Sequence, residues 1–207
     1  MRPHLSAVLS ALVLAAALPV CAQSFIFPTG YSYSTPPEGQ AQGGAFDYFD
    51  DTHNPPGQPL GQLTDGIKGG NDWAADLGNG NGQEWVAWSQ GNPTITFDFA
   101  STVSLQSVTI GFNRGTGGVA LPDSVTIGGT VFTLIGTELA DNTRGDLTFS
   151  GSWTGNSLDV TLADADTSFI FVDEVQFLTA AVPEPQWTLA AVGAALAGFA
   201  AWRRRRR

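Results

Sequence analysis

The side chains in this sequence that could carry acid, base or metal chemistry are almost all carboxylates. Nineteen Asp and Glu stand against nine Lys and Arg over 207 residues, with two His and one Cys. Catalysis is hard to assemble from that set. There is no Gly-x-Ser-x-Gly elbow and no His-Glu-x-x-His pair, so the strained nucleophile turn and the helical zinc site are both excluded. Lys68-Gly69-Gly70 lacks the glycine spacing that precedes the lysine of a phosphate loop. His53 stands alone in Asp50-Asp51-Thr52-His53-Asn54-Pro55-Pro56, a turn by composition, with no other histidine beyond His4 to share a metal. Asp141-Asn142-Thr143 and Asp164-Ala165-Asp166 read as turns or weak cation sites, short of an EF-hand's ligand set. Glycoside hydrolysis needs two placed carboxylates, and nothing singles out two of these, so a small glycan hydrolase stands only as a third reading. The expectation is a protein without enzymatic activity.

Positioning falls to short strands. Gln23 to Val182 is one domain's length of chain, enough to close a core. It carries three basic residues (Lys68, Arg114, Arg144) against eighteen acidic ones, a formal charge of −15. That surface repels phosphate backbones and excludes nucleic acid as a partner, while suiting cations or simple solubility. Residues 23–62, rich in Pro, Gly, Ser and Gln, predict an irregular leader with short strands, one of them a candidate edge strand. Thr94 to Ala100 alternates with Ile95, Phe97 and Phe99 on one face, and Leu105 to Phe112 places Val108, Ile110 and Phe112 inward. Gly128-Gly129 between Asp123–Ile127 and Thr130–Leu134 signals a two-residue hairpin. Asp146–Phe149, Ser157–Leu162 and Ser168–Phe177 complete the strands, with no helical period between Gln23 and Val182. The fold class predicted is all-β, a sandwich or barrel.

The order of these pieces resembles the galactose-binding-like jelly roll of discoidin domains and bacterial carbohydrate-binding modules, over about Leu63 to Leu178. The residues that carry the resemblance are the Leu63-Thr64-Asp65-Gly66 turn, then Trp73, Trp85 and Trp88. The Ile95–Phe99 and Leu105–Phe112 strand pair and the closing Val172-Asp173-Glu174-Val175-Gln176-Phe177 complete it. It implies a jelly-roll β-sandwich over 63–180 and one structural calcium ion, held near the first turn by Asp65, Asn71 or Asp72, and Glu174. Hard carboxylate and carbonyl oxygens are what calcium takes. The alternative for Asp65 is a bond to its own turn, and for Glu174 a solvated surface position. The resemblance also implies a sugar site on end loops, with Asn113 and Arg114 in Gly111–Gly118 gripping hydroxyls. Trp153, set among Gly, Ser and Asn in Ser150–Asn156, would be an exposed stacking platform. Trp73, Trp85 and Trp88 are expected in or beside the core.

Both ends of the chain read as addresses. Met1 to Ala22 has the form of a secretory signal: Arg2 with His4, an apolar run from Leu5 to Leu18, and Val20 and Ala22 before a cut at Ala22/Gln23. That cut removes Cys21, the only cysteine; a lipobox at Leu18-Pro19-Val20-Cys21 is the alternative. At the other end, Pro183-Glu184-Pro185 precedes an uncharged run from Trp187 to Trp202 and then Arg203, Arg204, Arg205, Arg206 and Arg207. The two tryptophans suit membrane interfaces and the arginines hold the C-terminus inside. The run, a transmembrane helix over about 186–202, is at the short limit of a span. This order resembles the PEP-CTERM sorting signal, and 181–207 is then a sorting and anchor segment. The resemblance implies a Gram-negative host and passage through the Sec translocon and signal peptidase. Anchoring in the inner membrane and recognition by an exosortase follow, then delivery to the outer envelope or extracellular matrix. A permanent inner-membrane anchor is the alternative. The expected role is a structural or adhesive, non-catalytic β-sandwich in the cell envelope or extracellular polysaccharide. The alternative is a carbohydrate-binding module that holds a specific matrix glycan.

Overall fold

The computed structural model describes residues 23–37, 48–50, 61–71, 73, 84–89, 92–164, 169–180 and 202–204. Gln23–Ala180 forms one compact unit. A second unit, Met1–Ala22 with Ala181–Arg207, is described only at 202–204, which are helical. The signal segment up to Ala22, the Pro183-Glu184-Pro185 triplet, Trp187, Arg205, Arg206, Arg207, Asp72 and His53 lie outside the described residues. Among the described residues no helix is long and apolar enough to cross a membrane.

The compact unit is all-β, as its alternating sequence predicts. Among the described residues eight strands run in chain order: β1 (Phe25–Ile26), β2 (Gly30–Tyr33), β3 (Val86–Trp88), β4 (Thr94–Arg114), β5 (Ser124–Ile127), β6 (Thr130–Thr133), β7 (Thr143–Ala163) and β8 (Ile170–Thr179). They join antiparallel in the order β1-β8-β4-β7-β5-β6, with β2 on β4 and β3 on β8. The leader predicted before residue 63 is part of this sheet through β1 and β2. Tyr31 is why it is held: its ring packs on Phe97, and its hydroxyl donates to Asp50, as does that of Tyr33.

Two of the predicted strand pairs are single long strands. Ile95–Phe99 and Leu105–Phe112 are both β4, twenty-one residues without a break. Its register shifts at Asp98/Val103 and at Leu105/Ser107. The inward set changes at the second shift, from Phe97, Phe99, Val103 and Leu105 to Val108, Ile110 and Phe112. Side chains alternate with period 2, so one unmatched residue flips the face that is buried. The flip keeps both halves of β4 in the same core cluster. A smaller cluster of Tyr48, Trp73, Trp85, Ala87, Val119 and Phe171 lies apart from it. Trp73, Trp85 and Trp88 are all buried, as expected.

The second long strand is β7. The loop predicted over Ser150–Asn156 does not exist: Leu105 pairs with Trp153, Ser104 with Thr154 and Val103 with Gly155. Low strand propensity in that Gly/Ser/Asn stretch is overridden by the ladder β4 offers between its two register shifts, since propensity weighs less than cross-strand pairing. The Gly128-Gly129 hairpin is present, with φ of +51° and +84° at the two glycines, the left-handed pair that a tight antiparallel turn needs.

Candidate functional site

Two places concentrate polar chemistry. The first is where the Asp65-Gly66 turn docks on β8. A register shift between Ile110 and Phe112 of β4 sets Gly111 against two residues of β8, Asp173 and Glu174. Such a bulge re-aims side chains, and here it buries two neighbouring carboxylates, Asp173 fully and Glu174 to 2% exposure. Asp173 is matched. Arg144 grips it through Nε at 2.7 Å and Nη2 at 3.1 Å, and the Gly69 amide donates to it at 2.7 Å. Arg144 also meets Asp146, which Lys68 approaches at 2.8 Å. Against the opposing effect of partial burial, the Lys68 hydrogen bond and the Arg144 charge hold the Asp146 carboxyl below its ordinary value. Gly111 makes the pairing possible, since a Cβ there would stand 1.9 Å from Asp173 Oδ1.

Glu174 is not matched. The Gly66 amide donates to Oε2 at 3.0 Å, while Oε1 is buried with no hydrogen-bond partner. Burial pushes the Glu174 carboxyl up to about 8, with Asp65 and Asp173 adding repulsion. Burial likewise raises Asp65, whose Oδ1 accepts the Ile67 amide of its own turn. Thr64, in the same turn, keeps a buried hydroxyl without a partner. An orphaned carboxylate oxygen beside a second carboxylate and a turn of backbone carbonyls fits a hard divalent cation such as calcium. Glu174 and Asp65 would hold it, with carbonyls of the turn. Asn71 is committed elsewhere: its side-chain oxygen accepts the Arg144 amide and its carbonyl the Asn113 side-chain amide. No group of three His, Cys, Asp or Glu side chains converges among the described residues, so carbonyl oxygens would complete any such shell.

The second place is the corner where β4 and β7 bend together beside the β5–β6 turn. A cavity of about 360 Å³ opens there. Its apolar lining is Phe99, Val103, Leu105, Trp153 and Leu158, and its polar lining includes Ser152, Thr154, Ser157 and Asp159. Trp153 is not the exposed platform its neighbours suggested. The ring is 7% exposed, its indole N–H donates to the Ile127 carbonyl at 2.9 Å, and it packs against the backbones of Gly128 and Gly151. It lines the wall of the cavity while remaining part of the core. The four polar residues are exposed. Asp159 accepts the Thr96 hydroxyl at 2.7 Å.

Asn113 and Arg114 belong to neither place as free hands. They end β4, and the loop expected from Gly111 begins only after them. Asn113 is fully buried against Asn71. Arg114 donates to the Leu139 carbonyl at 2.8 Å and pairs with Asp141 at 3.0 Å. Arg114 lies nine residues along β4 from Leu105, the partner of Trp153, roughly 30 Å at the rise of a strand. One sugar ring does not span Trp153 and Arg114. Of the cavity residues, Ser152 and Thr154 fell in the loop expected over Ser150–Asn156, and Ser157 and Asp159 had no signal beyond strand alternation; only the β4–β7 register brings them to one corner.

No family model and no curated protein matches the chain. The solved structures it is similar to include carbohydrate-binding modules. A truncated AlyQ with CBM32 and alginate lyase domains is 13% identical at a TM-score of 0.42, covering 79% of this chain and 35% of that one. The family 32 module of C. perfringens NanJ in complex with galactose is 13% identical at 0.41, covering 76% and 99%. The lectin-binding domain of Lectinolysin complexed with Lewis b is 14% identical at 0.46, covering 75% and 94%. Identities this low, with TM-scores below 0.5, assign this chain neither a family nor a ligand.

Proposed function

We propose that this protein is an exported, non-catalytic sugar-binding domain of the cell envelope or extracellular matrix, with the β4–β7 corner cavity as its binding site. The observation that supports the reading is the cavity's make-up. An apolar wall of Phe99, Val103, Leu105, Trp153 and Leu158 meets a rim of hydroxyls and one carboxylate. A sugar presents the same pairing, an apolar C–H face and a girdle of hydroxyls, and about 360 Å³ lies at the small end of ligand sites. Asp159 and the −15 domain favour neutral sugars over uronic, sulfated or phosphorylated ones. The test is affinity electrophoresis of the protein through matrix polysaccharide. Ser152→Trp, an exposed plug, and Asp159→Ala are expected to weaken retardation about tenfold or more with the melting temperature kept. Retention unchanged by both variants overturns the site.

Export and sorting rest on the terminal sequences alone: the signal-like first 22 residues, and Pro183-Glu184-Pro185 followed by the apolar run and five arginines. The intact mass of protein from the native envelope tests them. A chain starting at Gln23 and ending near Pro183 is expected. A chain still carrying Arg207 in the inner membrane overturns the exosortase reading and leaves a tethered periplasmic domain.

A further inference from the structure

Among the described residues the sheet ends at β6, and none of them guards that end. Among the described residues β6 pairs only with β5. An exposed strand edge is a template for another strand, and proteins usually blunt it with lysine, proline, a bulge or a cover. Among the described residues β6 has none of these. From Ser124 to Thr137 there is no charge and no proline, within a domain of −15. Val131 is 62% exposed and Ile135 81%, although both are large and apolar. Phe132 is half-buried, its ring 5.2 Å from Phe149 and 6.4 Å from Trp153.

The hydrogen-bond parity of the hairpin says which groups are free. The Leu134 amide donates to the Asp123 carbonyl at 2.8 Å. Bonded and non-bonded pairs alternate along an antiparallel ladder, so Phe132 bonds Val125, while Val131 and Thr133 turn their N–H and C=O groups away from β5. Those four groups face the open edge.

We propose that the β6 edge is a homotypic interface, on which a second copy of this chain pairs antiparallel about a two-fold axis through Phe132. In that register Val131 lies opposite the partner's Thr133, and Thr133 opposite the partner's Val131. Each pair exchanges two backbone hydrogen bonds, so all four open-edge groups are satisfied. The two Phe132 residues face each other as a non-bonded pair, with Cα atoms about 4.5 Å apart. Opposed residues point to the same side of a sheet, so this register also matches faces. Val131 and Thr133 share one face, Phe132 and Leu134 the other. A shift of one residue would set Val131 against Phe132 across the pleat. The axis closes the pair as a dimer. A second copy is favoured over a basic partner because the edge offers no charge to attract one. Its freedom from carboxylates also lets two −15 bodies touch along this strand without setting acid against acid. The contact is small, hence weak and reversible, and is strengthened by salt, which screens the repulsion. It is independent of any sugar.

The test uses the protein expressed from its full sequence in the native host and cross-linked in intact cells, with Cys21→Ser removing the other cysteine. Oxidised glutathione is the oxidant, its reduction to two thiols balancing each disulfide formed. Phe132→Cys is expected to cross-link to a dimer, because facing non-bonded positions fall within disulfide reach. Val131→Cys alone should not, since its partner position is 133. Val131→Cys co-expressed with Thr133→Cys should, and this pair decides the matter if loss of the Phe132 ring impairs folding. Thr133→Pro removes only an open-edge amide and is expected to cut cross-linking about tenfold. No cross-link at any position, or Val131→Cys cross-linking with itself as readily as the mixed pair, overturns the proposal. So does cross-linking to a different protein in place of the dimer.

Discussion

Glycine 111 and glutamate 174 sit at one bulge with opposite fates. Gly111 gives up its side chain so that Arg144 can reach Asp173. In Gly111→Ala the methyl group would collide with Asp173 Oδ1 and with the Arg144 guanidinium, 2.3 Å away. Breaking a buried pair strands a charge, so the expected loss is about 3 kcal/mol in denaturant unfolding. Glu174 has no such partner. Its carboxyl, raised to about 8 from an ordinary 4.5, keeps in the folded state a proton that the unfolded chain releases. The stability that Glu174 contributes is therefore full below pH about 4.5, falls as pH rises towards 8, and is flat beyond. In chelator the fall is expected to be on the order of 2 kcal/mol, and Glu174→Gln should flatten it. A wild-type profile that rises between pH 5 and 8 would contradict the assignment. The Asp65-Gly66 turn was legible because an Asp that bonds its own turn acts locally. The burial of Glu174 was not: it depends on a bulge set by the pairing of β4 with β8, more than sixty residues apart in sequence.

Elements repeat that division. The β5–β6 hairpin was readable from two glycines, since only they accept the left-handed pair of angles cheaply. Its two positions carry different loads. Gly129, at φ +84°, has open space where a Cβ would go; Gly129→Ala should cost about 1 kcal/mol of backbone strain. Gly128, at φ +51°, would press a Cβ to 2.6 Å from the Trp153 ring. Gly128→Ala is expected to cost about 3 kcal/mol, and to alter Trp fluorescence as the ring is displaced from the cavity wall. Equal costs at the two positions would mean that the ring is not seated on the turn. The continuity of β7 through 150–156 was illegible for a related reason. Gly, Ser and Asn are read locally as loop, and nothing local reveals that β4 supplies ladder partners for Ser150, Trp153, Thr154 and Gly155. The sugar-gripping roles given to Asn113, Arg114 and Trp153 inherited that error. They assumed loops where the chain is strand.

At the scale of the whole domain the ends meet and the charge does not balance. Ser24 and Thr179 exchange backbone and side-chain hydrogen bonds, so the first and last residues of the compact unit leave from one point. Eighteen carboxylates share that body with three cations. Two effects of added cations then separate. Sodium acts only by screening: raising it from about 0.01 M to about 0.1 M shortens the Debye length from about 30 Å to about 10 Å. This relieves repulsion everywhere and should raise the melting temperature by a few degrees in any variant that keeps the net charge near −15. Calcium adds a local term only if Glu174 and Asp65 take it. That term is largest near pH 8, where the ion can claim the carboxyl that burial otherwise keeps protonated, and it shrinks towards pH 5, where protons compete. At matched ionic strength, calcium should therefore raise the melting temperature of the wild type above the sodium value. The excess should fall with pH and vanish in Glu174→Gln, while the sodium response of that variant persists. An excess that survives Glu174→Gln would place the ion elsewhere on the acidic surface. Its absence in the wild type would mean that the buried carboxyl at the bulge simply holds a proton.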